Sequence, residues 1–199
     1  MKDFKNKYRS QSNRLPEFDY TQGFWYYVTI CTKGMTTYFG KVENGKMKLN
    51  RYGKIAHDYW KELPEHLPVS IDEFIIMPNH MHGIIILENE DNIRRGLIHQ
   101  TSFNKKDNPK GDLINQRALI NQGSTNDWIL MKQEKTSLGK VIRYYKAKVT
   151  HQIRNEIDKY FAWQSNYYEH IIRNQQDLER IRYYIKNNPL KWEIDKYYR

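Results

Sequence analysis

The fold of this chain is decided by the stretch Ile75-Ile76-Met77-Pro78-Asn79-His80-Met81-His82-Gly83-Ile84-Ile85-Ile86-Leu87. Its β-branched residues predict one strand over residues 69–76 and a second over residues 80–87. The connection between them is only three residues long, so the two strands should be antiparallel neighbours. The continuous apolar run in the second strand predicts that it lies inside the sheet rather than at its edge.

His80 and His82 stand two positions apart in the second strand. Because the side chains of a strand alternate between its faces, both imidazoles project from the same face. Two neutral imidazoles on a rigid element form half of a metal site. A buried histidine is also commonly a hydrogen-bonded core residue, and a His-x-His pair alone fits either interpretation. Any further ligands must come from elsewhere in the chain.

Hydrophobic periodicity predicts the other elements of the fold. They are strands at residues 24–32 and 37–42, a turn at Asn44-Gly45, a helix at residues 51–63 stopped by Pro64 and Pro68, a helix at residues 137–157, a strand within residues 163–172 and a helix at residues 177–187. This order predicts an α+β protein, a ferredoxin-like antiparallel sheet with helices packed on one face. Residues 1–199 should form a single domain.

Residues 88–135 depart from this periodic pattern. They are rich in Asn, Gln, Asp, Lys and Gly and show little hydrophobic periodicity. A stretch of this length without secondary structure is unusual inside a compact domain. We therefore predict a flexible insertion at this position, without catalytic residues.

The charge of the chain indicates a polyanionic partner. Lys and Arg number 33 against 23 Asp and Glu, which gives a net charge of +10 and a pI of about 9.5. Such a balance is typical of nucleic-acid-binding proteins. Tyrosines beside basic residues, as at residues 143–146 and 196–199, suit stacking on single-stranded nucleic acid. Tyrosines that cover the edge of a core give the same pattern, so both interpretations stay open.

Three features of the sequence concern the compartment. No run of roughly eighteen apolar residues is present, so we predict no membrane association. The basic N-terminus is not followed by an apolar segment, which argues against a secretory signal. Cys31 is the only cysteine, so no internal disulfide can form. Together these features predict a cytoplasmic protein.

The last predicted helix supplies two further chemical groups, Tyr184 and Asn188. Their i, i+4 spacing places them on one face of the helix, one turn apart. A phenol can attack phosphorus, and an amide oxygen can ligate a hard metal ion. If this helix crosses the strand of His80 and His82, one site combines two imidazoles, an amide oxygen and a phenol. This set suits Mg²⁺ or Mn²⁺, and the imidazoles favour Mn²⁺.

The motifs resemble those of a known family. Met77-Pro78-Asn79-His80-Met81-His82, followed by Tyr-Tyr-Ile-Lys-Asn-Asn-Pro at residues 183–189, is similar to the HUH single-tyrosine transposases, above all to the REP-associated tyrosine transposases. The similarity extends to residues 24–32, 137–146 and 168–174, and so covers nearly the whole chain. It implies a protein with a ferredoxin-like fold that is usually a dimer. Such a protein would nick and join single-stranded or hairpin DNA.

The resemblance also implies roles for individual residues. His80 and His82 match the family's metal-binding pair. Tyr184 matches the nucleophile, which forms a covalent 5′-phosphotyrosine link and leaves a free 3′-OH. Asn188 occupies the place of the third metal ligand, where related enzymes often carry Gln. Tyr183 is the adjacent alternative nucleophile, although it points about 100° away from Tyr184 around a helix.

The predicted function rests on these residues and on a basic surface. We expect nearby cationic charge to favour the phenolate of Tyr184. Contacts to the DNA backbone are predicted for Arg143, Lys146, Arg173, Arg9 and Arg14. Strand transfer by a metal-dependent transposase is the first hypothesis. A nucleic-acid-binding protein without turnover is the second, and a metal-dependent hydrolase that uses water instead of Tyr184 is the third.

Overall fold

The computed structural model of the chain describes residues 24–87 and 136–198. Arg9, Arg14 and the insertion predicted at residues 88–135 lie outside the described residues. One domain with an insertion therefore stays a prediction. Within the two described ranges, no helix is long and apolar enough to cross a lipid bilayer.

The described residues form six strands and four α-helices. In chain order these are β1 (Trp25–Cys31), β2 (Gly40–Glu43), β3 (Lys46–Leu49), α1 (Arg51–Lys61), α2 (Leu63–His66), β4 (Val69–Ile76), β5 (His80–Leu87), α3 (Leu138–Glu156), β6 (Tyr168–Ile172) and α4 (Gln175–Asn187). Short 3-10 helices cover Lys33–Met35 and Pro189–Ile194, and the second is called the C-terminal 3-10 helix below. β4 and β5 have the bounds that the sequence predicts.

The main sheet has four strands in the order β4-β5-β1-β6. All of its neighbouring strands are antiparallel. The strands of the main sheet and the helices α1 and α3 follow one another along the chain in the order β1, α1, β4, β5, α3, β6. This is the order strand, helix, strand, strand, helix, strand. This order and pairing confirm the predicted α+β, ferredoxin-like antiparallel sheet. A separate hairpin joins β2 to β3.

The helices divide between the two faces of the sheet. Met81, Ile85 and Leu87 of β5 belong to the large core under α1 and α3, which lie on one face as predicted. Ile84, on the opposite face, packs instead with α4 in a second, smaller core. The prediction of helices on one face thus holds for α1 and α3, while α4 lies against the other face. An amphipathic stripe shows which side of a helix is buried, but not which layer it joins.

Turn and cap residues account for the differences from the predicted bounds. Pro64 does not end a helix: it lies in the first turn of α2, where its missing N–H is tolerated. The predicted helix at residues 51–63 is therefore two helices. Asn44 and Gly45 have φ values of 52° and 68° and form the predicted turn, but β3 beyond it was not predicted. Asn174 caps α4 by accepting from the Asp177 amide, so α4 begins two residues early.

Two ion pairs hold α4 against the edge strand β4. An irregularity in the pairing of β4 with β5 falls at Asp72 and Glu73. Arg182 donates to both carboxylate oxygens of Asp72, at 2.8 and 2.6 Å. Lys186 Nζ lies 2.9 Å from Glu73 Oε1. These contacts fix the position of the helix that carries Tyr184 over the sheet.

Candidate active site

The two predicted histidines meet on the α4 face of the sheet. His80 and His82 are both fully buried, and their Nε2 atoms lie 3.0 Å apart. Burial lowers the pKa of His80 to about 4 and holds the pKa of His82 well below its usual value. Both imidazoles are therefore neutral at pH 7, which is the form that binds metal ions.

The Nδ1 atoms of both rings have protein partners. His80 Nδ1 lies 2.8 Å from Asn79 Oδ1. His82 Nδ1 lies 2.8 Å from the Tyr27 hydroxyl and 2.9 Å from Thr29 Oγ1. The two Nε2 atoms face each other, and His82 Nε2 also faces the Tyr184 hydroxyl. Partners of this kind orient the ring of a metal-binding histidine.

Helix α4 brings Tyr184 to His82, and its C-cap residue Asn188 contacts Asp195 beside the histidine pair. The Tyr184 hydroxyl lies 3.4 Å from His82 Nε2 and 3.5 Å from Asp195 Oδ2. Asn188 is buried and donates through Nδ2 to Asp195 Oδ2 at 3.1 Å. Its Oδ1 atom is buried without a hydrogen-bond partner. A buried acceptor left unpaired costs free energy, and a metal ion at this position would satisfy it. Tyr183 is 65% exposed and does not share these contacts.

Asp195 is a site residue that sequence reasoning missed. Ligand atoms of His80, His82 and Asp195 all lie within 4.8 Å of one another. The C-terminal 3-10 helix, which begins at Pro189, carries Asp195 back to the histidines. The sequence predicts a helix at residues 177–187 that ends before Pro189, and it predicts no element for the residues after Pro189. The signal available was weak, an acidic residue seven positions beyond Asn188.

The donor set fits a divalent metal ion. It combines two neutral imidazoles, the Asp195 carboxylate and the unpaired amide oxygen of Asn188. Carboxylate and amide oxygens suit Mg²⁺ and Mn²⁺, and imidazole nitrogen favours Mn²⁺. Cys31 is buried, and burial raises the pKa of its thiol to about 11, so it does not offer a thiolate.

The electrostatics at Tyr184 differ from the expected ones. Burial, and after it the negative charge of Asp195, raise the pKa of Tyr184 to about 12. Among the described residues, the charge that acts most strongly on this pKa is that of Asp195, so a cationic charge that favours the phenolate stays a prediction. Tyr184 carries its proton at neutral pH, and its hydroxyl lies within 3.5 Å of the Asp195 carboxylate, which can accept a proton.

A cleft of about 770 Å³ opens beside Tyr184, between α4, β6 and the C-terminal 3-10 helix. It is aromatic and basic. Tyr168 and Tyr183 line it with rings that are 48% and 65% exposed. Its lining also includes the imidazole of His170 and the charged side chains of Arg180, Lys191, Asp195 and Lys196. The combination of exposed rings with cations suits a single strand of nucleic acid.

Three of the residues predicted to contact DNA lie outside this cleft. Lys146 Nζ donates to the main-chain carbonyls of Gln164, Ser165 and Asn166, at 2.7, 3.3 and 3.1 Å. Arg143 and Arg173 are exposed, but Arg173 follows the end of β6 that is far from Tyr168. Their contacts to DNA stay predictions, and Lys146 has an evident structural role besides.

Comparisons with known proteins agree with this fold. The solved structure of a REP-associated tyrosine transposase bound to a REP hairpin matches with a TM-score of 0.51 and 18% identity, over 92% of this chain and 74% of that chain. The chain therefore has the fold of the HUH tyrosine transposases. No family model matches the sequence.

A full-length relative is known from Haemophilus influenzae, where it is described as an uncharacterized protein. It is 34% identical over 189 residues, which cover 94% of this chain and 92% of the relative. The chain belongs to the same family as this Haemophilus influenzae protein.

Proposed function

We propose that this protein is a transposase that nicks and rejoins single-stranded DNA with the help of a divalent metal ion. Tyr184 is the nucleophile of this proposal. The observation that carries it is the position of the Tyr184 hydroxyl, 3.4 Å from Nε2 of buried His82 and 3.5 Å from Oδ2 of Asp195. The fold shared with a transposase that was solved with a REP hairpin supports hairpin DNA as the partner.

The residues divide the chemistry among them. The Tyr184 oxygen attacks the scissile phosphorus while the bond from phosphorus to the 3′ oxygen breaks, giving a 5′-phosphotyrosine and a free 3′-OH. We assign the tyrosine proton to Asp195, whose Oδ2 atom lies 3.5 Å from the Tyr184 hydroxyl, and the leaving 3′ oxygen receives a proton in turn. His80, His82, Asp195 and Asn188 would hold Mn²⁺ or Mg²⁺, whose charge polarises the phosphate when it is bound. Rejoining is the reverse attack by a 3′-OH, so no ATP is needed.

The cleft beside Tyr184 is the proposed path of the DNA strand. Its exposed Tyr168 and Tyr183 rings offer stacking surfaces for bases, and Arg180, Lys191 and Lys196 offer charge for phosphates. Contacts by Arg143, Lys146, Arg173, Arg9 and Arg14 would extend this surface. A homodimer also stays a prediction, which sedimentation of the purified chain would test.

The test is covalent capture of DNA. Labelled single-stranded hairpin oligonucleotides are incubated with the full chain in Mn²⁺ or EDTA and separated on a denaturing gel. We expect a metal-dependent adduct that the Tyr184→Phe variant loses completely, while native binding persists. Tyr183→Phe is the matched control because it removes the neighbouring hydroxyl, and it should keep the adduct.

Other outcomes would favour the competing functions. Native binding of a hairpin without any adduct would indicate a binding protein without turnover. Metal-dependent cleavage that survives in Tyr184→Phe would indicate a hydrolase that uses water. Adduct formation lost in Tyr183→Phe and kept in Tyr184→Phe would move the nucleophile to Tyr183.

A further inference from the structure

We propose that Tyr27 and Thr29 are positioning residues, whose paired hydroxyls let His82 present an unprotonated Nε2 atom to a metal ion. This inference rests on the metal site of the proposed function. It concerns two residues of β1 that neither the resemblance nor the His-x-His motif identifies. Four features of the described residues carry it.

The first is that the tautomer of His80 is fixed by Asn79. The Asn79 amide nitrogen donates to two main-chain carbonyls, of Met35 at 3.1 Å and of Tyr197 at 2.8 Å. The orientation of the amide is therefore set, and its Oδ1 atom faces His80 Nδ1 at 2.8 Å. A carbonyl oxygen only accepts, so His80 Nδ1 carries the proton. In the neutral ring, His80 Nε2 then has a free lone pair.

The second feature is the contact between the two rings. His80 Nε2 and His82 Nε2 are 3.0 Å apart, which is a hydrogen bond and needs one donor. Since His80 Nε2 has only a lone pair, His82 Nε2 is the donor. His82 Nδ1 is consequently the acceptor in this arrangement, and the Tyr27 hydroxyl at 2.8 Å donates to it. Thr29 Oγ1 in turn donates to the Tyr27 oxygen at 3.2 Å.

The third feature is the change that a metal ligand requires. Binding through Nε2 needs a lone pair there, so His82 must carry its proton on Nδ1 instead. The ring stays neutral because Nε2 releases one proton to solvent and Nδ1 takes up one proton that also comes from solvent. Nδ1 then donates to Tyr27 or Thr29. A hydroxyl can donate or accept, so this pair serves both tautomers, whereas a carbonyl or an amide N–H would serve only one.

The fourth feature is how rigidly β1 presents the two hydroxyls. Tyr27 and Thr29 are two positions apart and share one face of the strand, and Thr29 pairs directly with His82 across the sheet. The Tyr27 ring also stacks on His82, with ring centroids 5.6 Å apart and planes 26° apart.

The test measures metal binding and tautomer without DNA. Titration calorimetry with Mn²⁺ compares the full chain with Tyr27→Phe, with Thr29→Val and with both changes combined. We expect the double variant to bind Mn²⁺ about 10- to 100-fold more weakly. Thr29→Ser keeps the hydroxyl, so its Mn²⁺ affinity should lie within about twofold of that of the wild type. The unfolding temperature of each variant is measured to show that it is folded. Nitrogen-15 NMR of the histidines should show His82 protonated on Nε2 in EDTA and on Nδ1 with the diamagnetic probe Zn²⁺.

The outcomes separate this inference from the proposed function. Wild-type Mn²⁺ affinity in a folded double variant, or a His82 that carries its proton on Nδ1 in EDTA, would overturn the role of the hydroxyl pair and leave the DNA chemistry standing. A wild-type chain that binds no Mn²⁺ would overturn the metal site itself and this inference with it. Tyr27→Phe preserves the buried ring, so it tests the hydroxyl even if Thr29→Val fails to fold.

Discussion

The two faces of the four-stranded sheet differ in what they bury, although the same strands supply both. Beneath α1 and α3 the face is a continuous apolar and aromatic core, centred on residues such as Trp60 and Tyr145. The α4 face has a small apolar core around Ile84 and Ile181 at one end. At its other end, buried His80 and His82 replace the hydrocarbon. The alternation of a strand thus lets one element serve stability on one side and chemistry on the other.

The difference shows where this fold tolerates polar groups. On the α4 face, buried imidazoles have hydrogen-bond partners on Nδ1 and a candidate ion on Nε2, so their desolvation is offset. On the α1 and α3 face, Gly83 leaves room for a ring: a Cβ atom built there would lie 2.4 Å from Trp60 Cζ2. Substitutions on the α1 and α3 face should therefore change the free energy of unfolding. Substitutions beside the histidines on the α4 face should change metal binding and DNA cleavage.

The largest expected effect is on the apolar face. Trp60 is fully buried, covers Gly83 and packs edge-on against Tyr145 with ring centroids 5.1 Å apart. Trp60→Ala should lower the free energy of unfolding by about 3–5 kcal/mol because it leaves a large cavity. Urea denaturation measures this. The matched change on the other face, Tyr184→Phe, should stay within about 0.5 kcal/mol of the wild type. Similar losses for both variants would remove the distinction between the faces.

The sequence predicted the sheet better than it predicted the site. The bounds of β4 and β5 follow from a dense β-branched run, and the face shared by His80 and His82 follows from the strand period. β3 was missed because Lys-Met-Lys-Leu at Lys46–Leu49 carries no β-branched residue. The i, i+4 spacing of Tyr184 and Asn188 predicted their shared face, but no local pattern could show that α4 lies opposite α1 and α3.

Asp195 and the hydroxyl pair of β1 lay beyond prediction for a different reason. Each acts through a contact between residues distant in sequence, which no periodicity encodes. Asp195 lies more than a hundred positions after His80 in the sequence, and the C-terminal 3-10 helix brings the two residues together. Tyr27 appears in the sequence as one more aromatic residue of a strand, and only the pairing of β1 with β5 places its hydroxyl on His82.

The second expected effect is at Asp195, on the functional face. Asp195→Asn keeps the shape of the side chain but removes its charge, so we expect Mn²⁺ affinity to fall at least about tenfold, or about 1.4 kcal/mol. Calorimetry measures the affinity, and Glu193→Gln on the exposed side of the same 3-10 helix is the control. The unfolding temperature should change little. Unaltered Mn²⁺ affinity in Asp195→Asn would leave the histidines and Asn188 as the only protein ligands of the proposal.

The smallest expected effect concerns Lys146, which lies outside the cleft and binds the loop before β6. Its Nζ donates to the carbonyls of Gln164, Ser165 and Asn166, so Lys146→Met should lower the free energy of unfolding by about 1 kcal/mol at pH 7. Arg143→Met, on an exposed position of the same helix, should have almost no effect. If Lys146 contacted DNA instead, Lys146→Met would reduce the salt dependence of DNA binding and leave the free energy of unfolding unchanged.

The difference in free energy of unfolding between the wild type and Lys146→Met should depend on pH, and the sign of this dependence shows how burial acts on the pKa of Lys146. Burial lowers the pKa of Lys146 from 10.5 to about 8 in the folded protein. Between these values the unfolded chain holds a proton that the folded protein has released, so the stability contributed by Lys146 rises with pH. Between pH 8 and pH 10, the free energy of unfolding of the wild type should therefore increase relative to that of Lys146→Met. A constant gap over this range would mean that the three carbonyls hold the ammonium charged, in which case hydrogen bonding outweighs burial at this position.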